Sequence, residues 1–299
     1  MEQNFRFTLG ENYMNSASQK LRSLFKQDKL FFAPGIYDGL SARLVEQAGF
    51  PLLYASGGAI ARSAGIPDMG LISWTQVTER LTQIVDAVDI PVIADFDNGY
   101  GNALNARYAI KYFERSGVAA VHMEDQSLPK RCGHLSGKHI VSADEFVQKI
   151  KAVKDAADPG FYLIARTDAI AVDGFEAAME RAHQYAEAGA DMIFVEAPTT
   201  VEQIEKIGKE LPCAKLLNMF HSGRTPLVEL DKLKEWGYKL VIDPSDLQRA
   251  AISAMQKVLD VLKKEGHSAS LSSELTSFAD REVIIGTKKY MDISEKYKT

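Results

Sequence analysis

Short, unbroken apolar runs alternate along the chain with longer stretches in which apolar residues recur every three or four positions. The apolar runs fall at 30–34, 51–55, 91–95, 118–123, 161–165, 192–195, 215–218 and 240–242. Helical patterns follow at 41–48, 74–88, 103–116, 143–156, 175–188, 201–210, 228–235 and 246–264, after a first one at 16–25. A run that is apolar throughout suits a strand covered on both faces, as the strands of a parallel sheet are by their crossover helices. Several helical patterns stop at a glycine just before the next strand, as in Ser116-Gly117 and Ala188-Gly189, which is the expected C-cap.

Eight such strand-helix units predict an α/β fold of the (β/α)8 TIM-barrel type. A doubly wound open sheet is the alternative, but no G-x-G-x-x-G opens the first helix and no change of composition marks a second domain. The expectation is one barrel domain over 1–299 with helical extensions at 1–28 and 267–299. The second extension is Ser-rich, then charged, with helical spacing at Phe278, Val283 and Ile284.

Composition narrows the partners. A chain of 299 residues that is 46% hydrophobic can bury a core of barrel size. Its net charge of -5 argues against a nucleic-acid or anionic-membrane surface, so an anionic ligand must be met by local cations. The first sixteen residues lack a secretory pattern and no apolar run is long enough to span a membrane, so a cytoplasmic protein is expected. Cys132 lies in a polar loop and Cys213 precedes an apolar run, which suits two free thiols, with Cys213 structural.

In a parallel barrel the chemistry sits at the carboxyl ends of the strands. Here those ends read Tyr54-Ala55-Ser56-Gly57-Gly58, Asp95-Phe96-Asp97, Glu124-Asp125, Arg166-Thr167-Asp168, Glu196, Asn218 and Asp243-Pro244-Ser245. Asp95 and Asp97 share a side by period, and Glu124 arrives from the next strand. Three hard oxygen donors without histidine or thiolate favour Mg²⁺ or Mn²⁺ over zinc, against the plainer reading of solvated strand ends. Ser56-Gly57-Gly58 offers a hydroxyl and unhindered N–H groups to a carboxylate or phosphate, or is a plain turn. Arg166 ends an apolar strand and calls for an anion, either a substrate carboxylate or Glu196. After the fourth strand, Lys130, Arg131 and His134 surround Cys132 and favour its thiolate, while Gly133 permits close approach to a ligand.

Taken together these residues resemble the isocitrate lyase and phosphoenolpyruvate mutase superfamily over about 31–266. The resemblance is carried by Lys130-Arg131-Cys132-Gly133-His134, similar to the K-[KR]-C-G-H signature of the lyase branch, with Glu124-Asp125 before it. Ser56-Gly57-Gly58, the D-x-D-x-G-[FY]-G stretch from Asp95, Ala165-Arg166-Thr167-Asp168, Glu196-Ala197-Pro198 and Asn218-Met219 match in the same order. It implies a barrel whose eighth helix is exchanged between subunits, a homotetramer built from dimers, and Mg²⁺-dependent cleavage of a C–C bond in a 2-hydroxy di- or tricarboxylate. Phosphonate-forming mutases usually lack the Cys-Gly-His, so a lyase of the methylisocitrate or dimethylmalate type is favoured.

The resulting assignment has Asp95, Asp97 and Glu124 around the metal, and Cys132, Glu124, His134 and Arg166 as catalytic groups. Substrate contacts are expected from Tyr54, Ser56, Gly57, Gly58, Asp68, Lys130, Arg131, Gly133, Arg166, Glu196, Asn218, Thr225 and Ser245. Three departures from the family pattern, Asn98, His221 and Asp243 with its neighbour Asp246, suggest that a tricarboxylate fits less comfortably. Oxaloacetate decarboxylation or hydrolysis, a phosphonate mutase and a non-catalytic scaffold are the other readings.

Overall fold

The apolar runs become eight parallel strands: β1 (Phe31–Ile36), β2 (Leu53–Ala55), β3 (Val92–Asp95), β4 (Ala120–Glu124), β5 (Tyr162–Thr167), β6 (Met192–Val195), β7 (Ala214–Asn218) and β8 (Tyr238–Asp243). In this computed structural model, which describes residues 11–131, 133 and 137–298, the strands pair in chain order and β8 closes on β1. Among the described residues the helices are α1 (Glu11–Phe25), α2 (Gly39–Gln47), α3 (Gly57–Ser63), α4 (Trp74–Val85), α5 (Ala103–Arg115), α6 (Ala143–Lys154), α7 (Phe175–Glu187), α8 (Val201–Glu210), α9 (Leu230–Glu235), α10 (Asp246–Glu265), α11 (Phe278–Ile285) and α12 (Thr287–Lys296).

Period-two alternation divides each strand between two cores. Outward residues such as Leu53, Ala94, Val121, Leu163, Ile193 and Val241 pack with the helices, and inward ones such as Tyr54, Ile93, Ala120, Ile164, Phe194 and Leu240 fill the barrel. Helix α1 closes the amino-terminal end: Leu21 is fully buried, and Phe25 meets Phe31 and Tyr162 with ring centroids 5.8 and 5.3 Å away. Arg22 ties it down through Gly160 O at 2.7 Å and Asp191 Oδ1 at 2.9 Å. Helix α1 thus seals the floor of the barrel and leaves the carboxyl end open.

Helix α3 was not legible as a helix. Ser56, expected to mark a turn, is its N-cap and accepts from Ala59 N at 3.2 Å. The other end of the chain departs differently: α10 buries Gln248 alone, and its Leu247, Ile252, Met255, Leu259 and Leu262 stay exposed. An apolar cavity of about 370 Å³ lies where α2 and β1 face the start of α10, lined among others by Phe32, Leu44, Val45 and Phe50. Among the described residues no helix is long and apolar enough to cross a membrane.

Candidate active site

The inward face of nearly every strand is apolar low in the barrel and polar at its carboxyl end, because residues two apart share a face. Ile93 leads to Asp95, Ala120 to His122 and Glu124, Ile164 to Arg166, Phe194 to Glu196, and Leu216 to Asn218. Register sets these side chains level: Asp95 pairs with His122, and Glu124 with Arg166. They surround a cavity of about 290 Å³ whose walls include Tyr54, Ser56, Gly58, Asp68, Asp95, Gly133, Arg166, Glu196, Asn218 and Ser245. Phe194, Phe220, Ile242, Pro244 and Ile252 make its apolar side, and Arg62, Gln248 and Arg249 its polar rim. That is the mix of a small-molecule site, mostly apolar with a few aimed polar groups.

The carboxylates are unequal. Asp95 accepts from Gly57 N at 3.2 Å and from Asp97 N at 2.9 Å, with His122 Nε2 3.3 Å away. Burial raises its carboxyl, but His122, Lys130 and Arg166 together outweigh that and hold it below the usual range. Burial pushes Asp97 up to about 6, with Asp95 and Asp68 adding to it and Lys130, 2.5 Å off, opposing. Glu124 is also raised well above the usual range by burial, although Arg166 Nη1 lies 3.4 Å away, and its Oε1 has no hydrogen-bond partner. A buried carboxylate oxygen with nothing to bind is costly, and a hard divalent cation would relieve it. The residues fit such an ion. Among the described residues no three ligating side chains converge tightly enough to enclose one, so water would have to complete the set.

Arg166 is held by several anions at once. Its Nε and Nη2 donate to Asp168 at 2.8 and 3.0 Å, and Glu196, the internal partner expected, lies farther off at 3.7 Å, so the main anion is one the sequence reading did not name as its partner. Its guanidinium also stacks over Phe194, 5.1 Å from the ring centroid. Tyr54 Oη sits 2.5 Å from His122 Nε2 and 3.4 Å from Asp95 Oδ2.

The loop from β4 to α6 folds back over this mouth. Its two limbs pair through Ser127 N to His139 O and Val141 N to Asp125 O, both 2.9 Å. Gln126 clamps Arg131 from both sides, accepting from its N–H at 2.9 Å and donating to its carbonyl at 2.8 Å. Lys130 reaches Asp68 and Asp97, each at 2.5 Å. Its charge is therefore committed to carboxylates, not free to draw a proton off a thiol. Gly133 rests against Arg166 and Glu196 so closely that a β-carbon would collide with both. Cys132 and His134, the catalytic pair expected from the sequence, lie outside the described residues.

Residues 21–263 match the phosphoenolpyruvate phosphomutase family model, over most of the chain. The chain belongs to this family. Family members of similar sequence include a 2,3-dimethylmalate lyase of Eubacterium barkeri, 38% identical over 96% of this chain and 99% of the relative. A 2-methylisocitrate lyase of Bacillus subtilis is 39% identical over 94% and 92%. Among solved structures, an oxaloacetate acetylhydrolase bound to 3,3-difluorooxalacetate superposes with a TM-score of 0.89 at 33% identity, covering 94% of this chain and 97% of that one. A phosphonopyruvate hydrolase in complex with oxalate and Mg²⁺ superposes with a TM-score of 0.85 at 31% identity, covering 94% and 99%.

Asp125, grouped with Glu124, faces the opposite way and is a structural anchor, accepting from Thr167 Oγ1 at 2.8 Å, Asp168 N at 2.9 Å and Tyr185 Oη at 2.8 Å. Thr225 is buried with its hydroxyl unpaired and is not part of the cavity wall. None of the three departures faces the cavity. Asn98 braces its own loop through Gln126 O and Tyr100 N, both 3.1 Å, and His221 is exposed. Asp243 accepts from Ser245 N and Asp246 N at 3.1 Å and lines the outer cavity beside α2 with Asp246. None of the three therefore lines the cavity in which a di- or tricarboxylate would sit. Reading the sequence also missed His122, whose signal was a histidine inside an apolar strand, and Lys138, Arg62 and Arg249, which no pattern marked. Cys213 is a free, half-buried thiol whose pKa is raised by burial.

Proposed function

We propose that this chain is a Mg²⁺-dependent carbon-carbon lyase that cleaves a 2-hydroxy di- or tricarboxylate of the 2,3-dimethylmalate or 2-methylisocitrate type, releasing pyruvate or a related 2-oxo acid. The observation that carries the reading is a fixed cation, Arg166, facing Asp95 across one small cavity, with Glu124 3.4 Å behind Arg166 and one of its buried oxygens unpaired, and Asp97 next along from Asp95. Asp95 and Asp97, through water, with Glu124 beyond them, would hold Mg²⁺, which would supply stabilisation of the negative charge that develops on the substrate oxygens. Arg166 receives the substrate carboxylate, its planar fork already oriented by Asp168. The wall of Phe194, Phe220, Ile242 and Ile252 takes the alkyl part of the substrate and keeps water from the carbanionic carbon. As the C–C bond breaks, its electron pair goes to the carbon next to the departing carboxylate and the 2-hydroxyl gives up its proton to water; Cys132 then delivers a proton to that carbon and regains one from solvent, with His134 and Glu196 orienting the departing half.

The test is a screen of 2-hydroxy and 2-oxo dicarboxylates with Mg²⁺, detecting pyruvate, glyoxylate, oxalate and carbon dioxide. Pyruvate from a branched 2-hydroxy acid, lost in EDTA and restored by Mg²⁺, is the expected result; full turnover after exhaustive chelation overturns the metal reading. An oxaloacetate-hydrolysing reading is favoured by the superposition on oxaloacetate acetylhydrolase, and oxalate with acetate as products would select it.

The exposed apolar side of α10 and the open cavity beside α2 and β1 support a homotetramer in which this helix is traded between subunits. A monomer by light scattering at micromolar concentration contradicts that assembly.

A further inference from the structure

Lys138 lies on the returning limb of the loop, yet its ammonium is buried, with the residue only 6% exposed. A buried ammonium is costly unless acceptors meet it. Two do: the Gly133 carbonyl in the same loop and Asp168 Oδ1 just beyond β5, both at 2.6 Å. The same Asp168 carboxylate holds Arg166 through two hydrogen bonds. Burial raises the Asp168 carboxyl, but Arg166 and Lys138 outweigh it and bring it down to about 2. One carboxylate therefore joins a cation of the cavity wall to a cation of the loop, and the second cation holds the loop backbone where Gly133 touches Arg166 and Glu196.

We propose that Lys138 is a positioning residue: it pins Gly133 onto the Asp168–Arg166 pair and so sets the loop over the substrate cavity. Asp168 is also met by the bidentate guanidinium of Arg166, which stays in place when Lys138 is changed. What Lys138 adds is the link to the Gly133 carbonyl. A methionine of similar length would fill the space and break that link while leaving Arg166 on Asp168, Glu124 and Glu196. The loss is therefore expected in the placement of the loop, not in carboxylate binding. The kinetic part of this proposal rests on the lyase reading; the loop part does not.

The full-length K138M variant is compared with wild type in two assays. Limited trypsin digestion reports the loop, because Lys130 is buried and Arg131 is clamped by Gln126. Cleavage after Lys130 or Arg131 should quicken by about tenfold or more as the loop opens. Steady-state kinetics should show kcat falling by about 10²-fold, the scale of an ångström misplacement, with KM moving less than about threefold. Should K138M not accumulate as folded protein, K138A supplemented with propylammonium replaces the missing ammonium, and digestion should slow and kcat recover with the amine. Unchanged digestion at 130–131, a rise in KM at constant kcat, or no response of K138A to the amine overturns the proposal. If wild type turns over no 2-hydroxy acid, the lyase reading fails and the digestion result still decides the role of Lys138.

Discussion

Replacing Gly133 by alanine tests the closeness of loop and barrel most directly. A β-carbon at this position would fall on Glu196 Oε1 and Arg166 Nη2 and stand 2.8 Å from Glu196 Cδ. Non-bonded carbons rest about 3.5–4.0 Å apart, so something must give by about 0.7–1.2 Å. The barrel side has little room: Glu196 is 1% exposed, and Arg166 is gripped by Asp168. The loop is therefore the part that lifts. A displacement near 1 Å costs about 10²-fold in rate, or about 2.7 kcal/mol of barrier. Steady-state turnover of the substrate found in the screen, with thermal unfolding by circular dichroism alongside, separates the two parts of the expectation. G133A should lose about 10²-fold in kcat/KM and melt within a few degrees of wild type, since the loop adds little to the barrel core. A variant within about threefold of wild type would refute the reasoning, because it would mean that the loop need not sit where its contacts place it.

Cys132→Ser should lower kcat by about 10²-fold with a smaller change in KM, and Cys213→Ser should leave kcat nearly unchanged; similar kinetics for the two variants would remove Cys132 from proton transfer. Asp125→Ala strands the buried donors of Thr167, Asp168 and Tyr185, and urea unfolding should show a loss of about 3–5 kcal/mol, a loss under about 1 kcal/mol being incompatible with an anchor. In EDTA, Asp97 has a folded pKa of about 6 against an ordinary 3.8, so its contribution to stability is whole below the lower value and is lost as pH rises through the upper one. Urea stability of the metal-free protein should fall across that window, and Asp97→Asn should flatten the fall; equal slopes for both proteins would count against a raised Asp97.

The order of elements was legible in the residues themselves, because unbroken apolar runs and three-to-four spacing are local properties of the chain. All eight strands lie where the runs predict them, and the polar strand ends mark the functional face. The family motifs around Lys130, Asp95 and Arg166 were legible for the same reason. Helix α3 was not, since a short Gly-Gly segment capped by Ser56 carries too little periodicity to distinguish it from a turn. Nor could local pattern say whether Glu124 or its neighbour Asp125 faces the cavity, because a shift of one residue in strand register exchanges the two faces. The register of β4 against β3 and β5 decided that, and the folding of three separate segments over the barrel mouth brought Asp68, Asp97 and Lys130 together. Alternation along β8, which turns Leu240 and Ile242 into the barrel, sends Asp243 outward, to the cavity beside α2. Lys138 shows the division most plainly. In the sequence it is one cation in a polar loop, and its meaning depends on Gly133 in the same loop and on Asp168, thirty residues further along the chain. Periodicity fixes which way a side chain points within its own element, but which charges meet depends on barrel register and loop folding, and these are set by packing across the whole molecule.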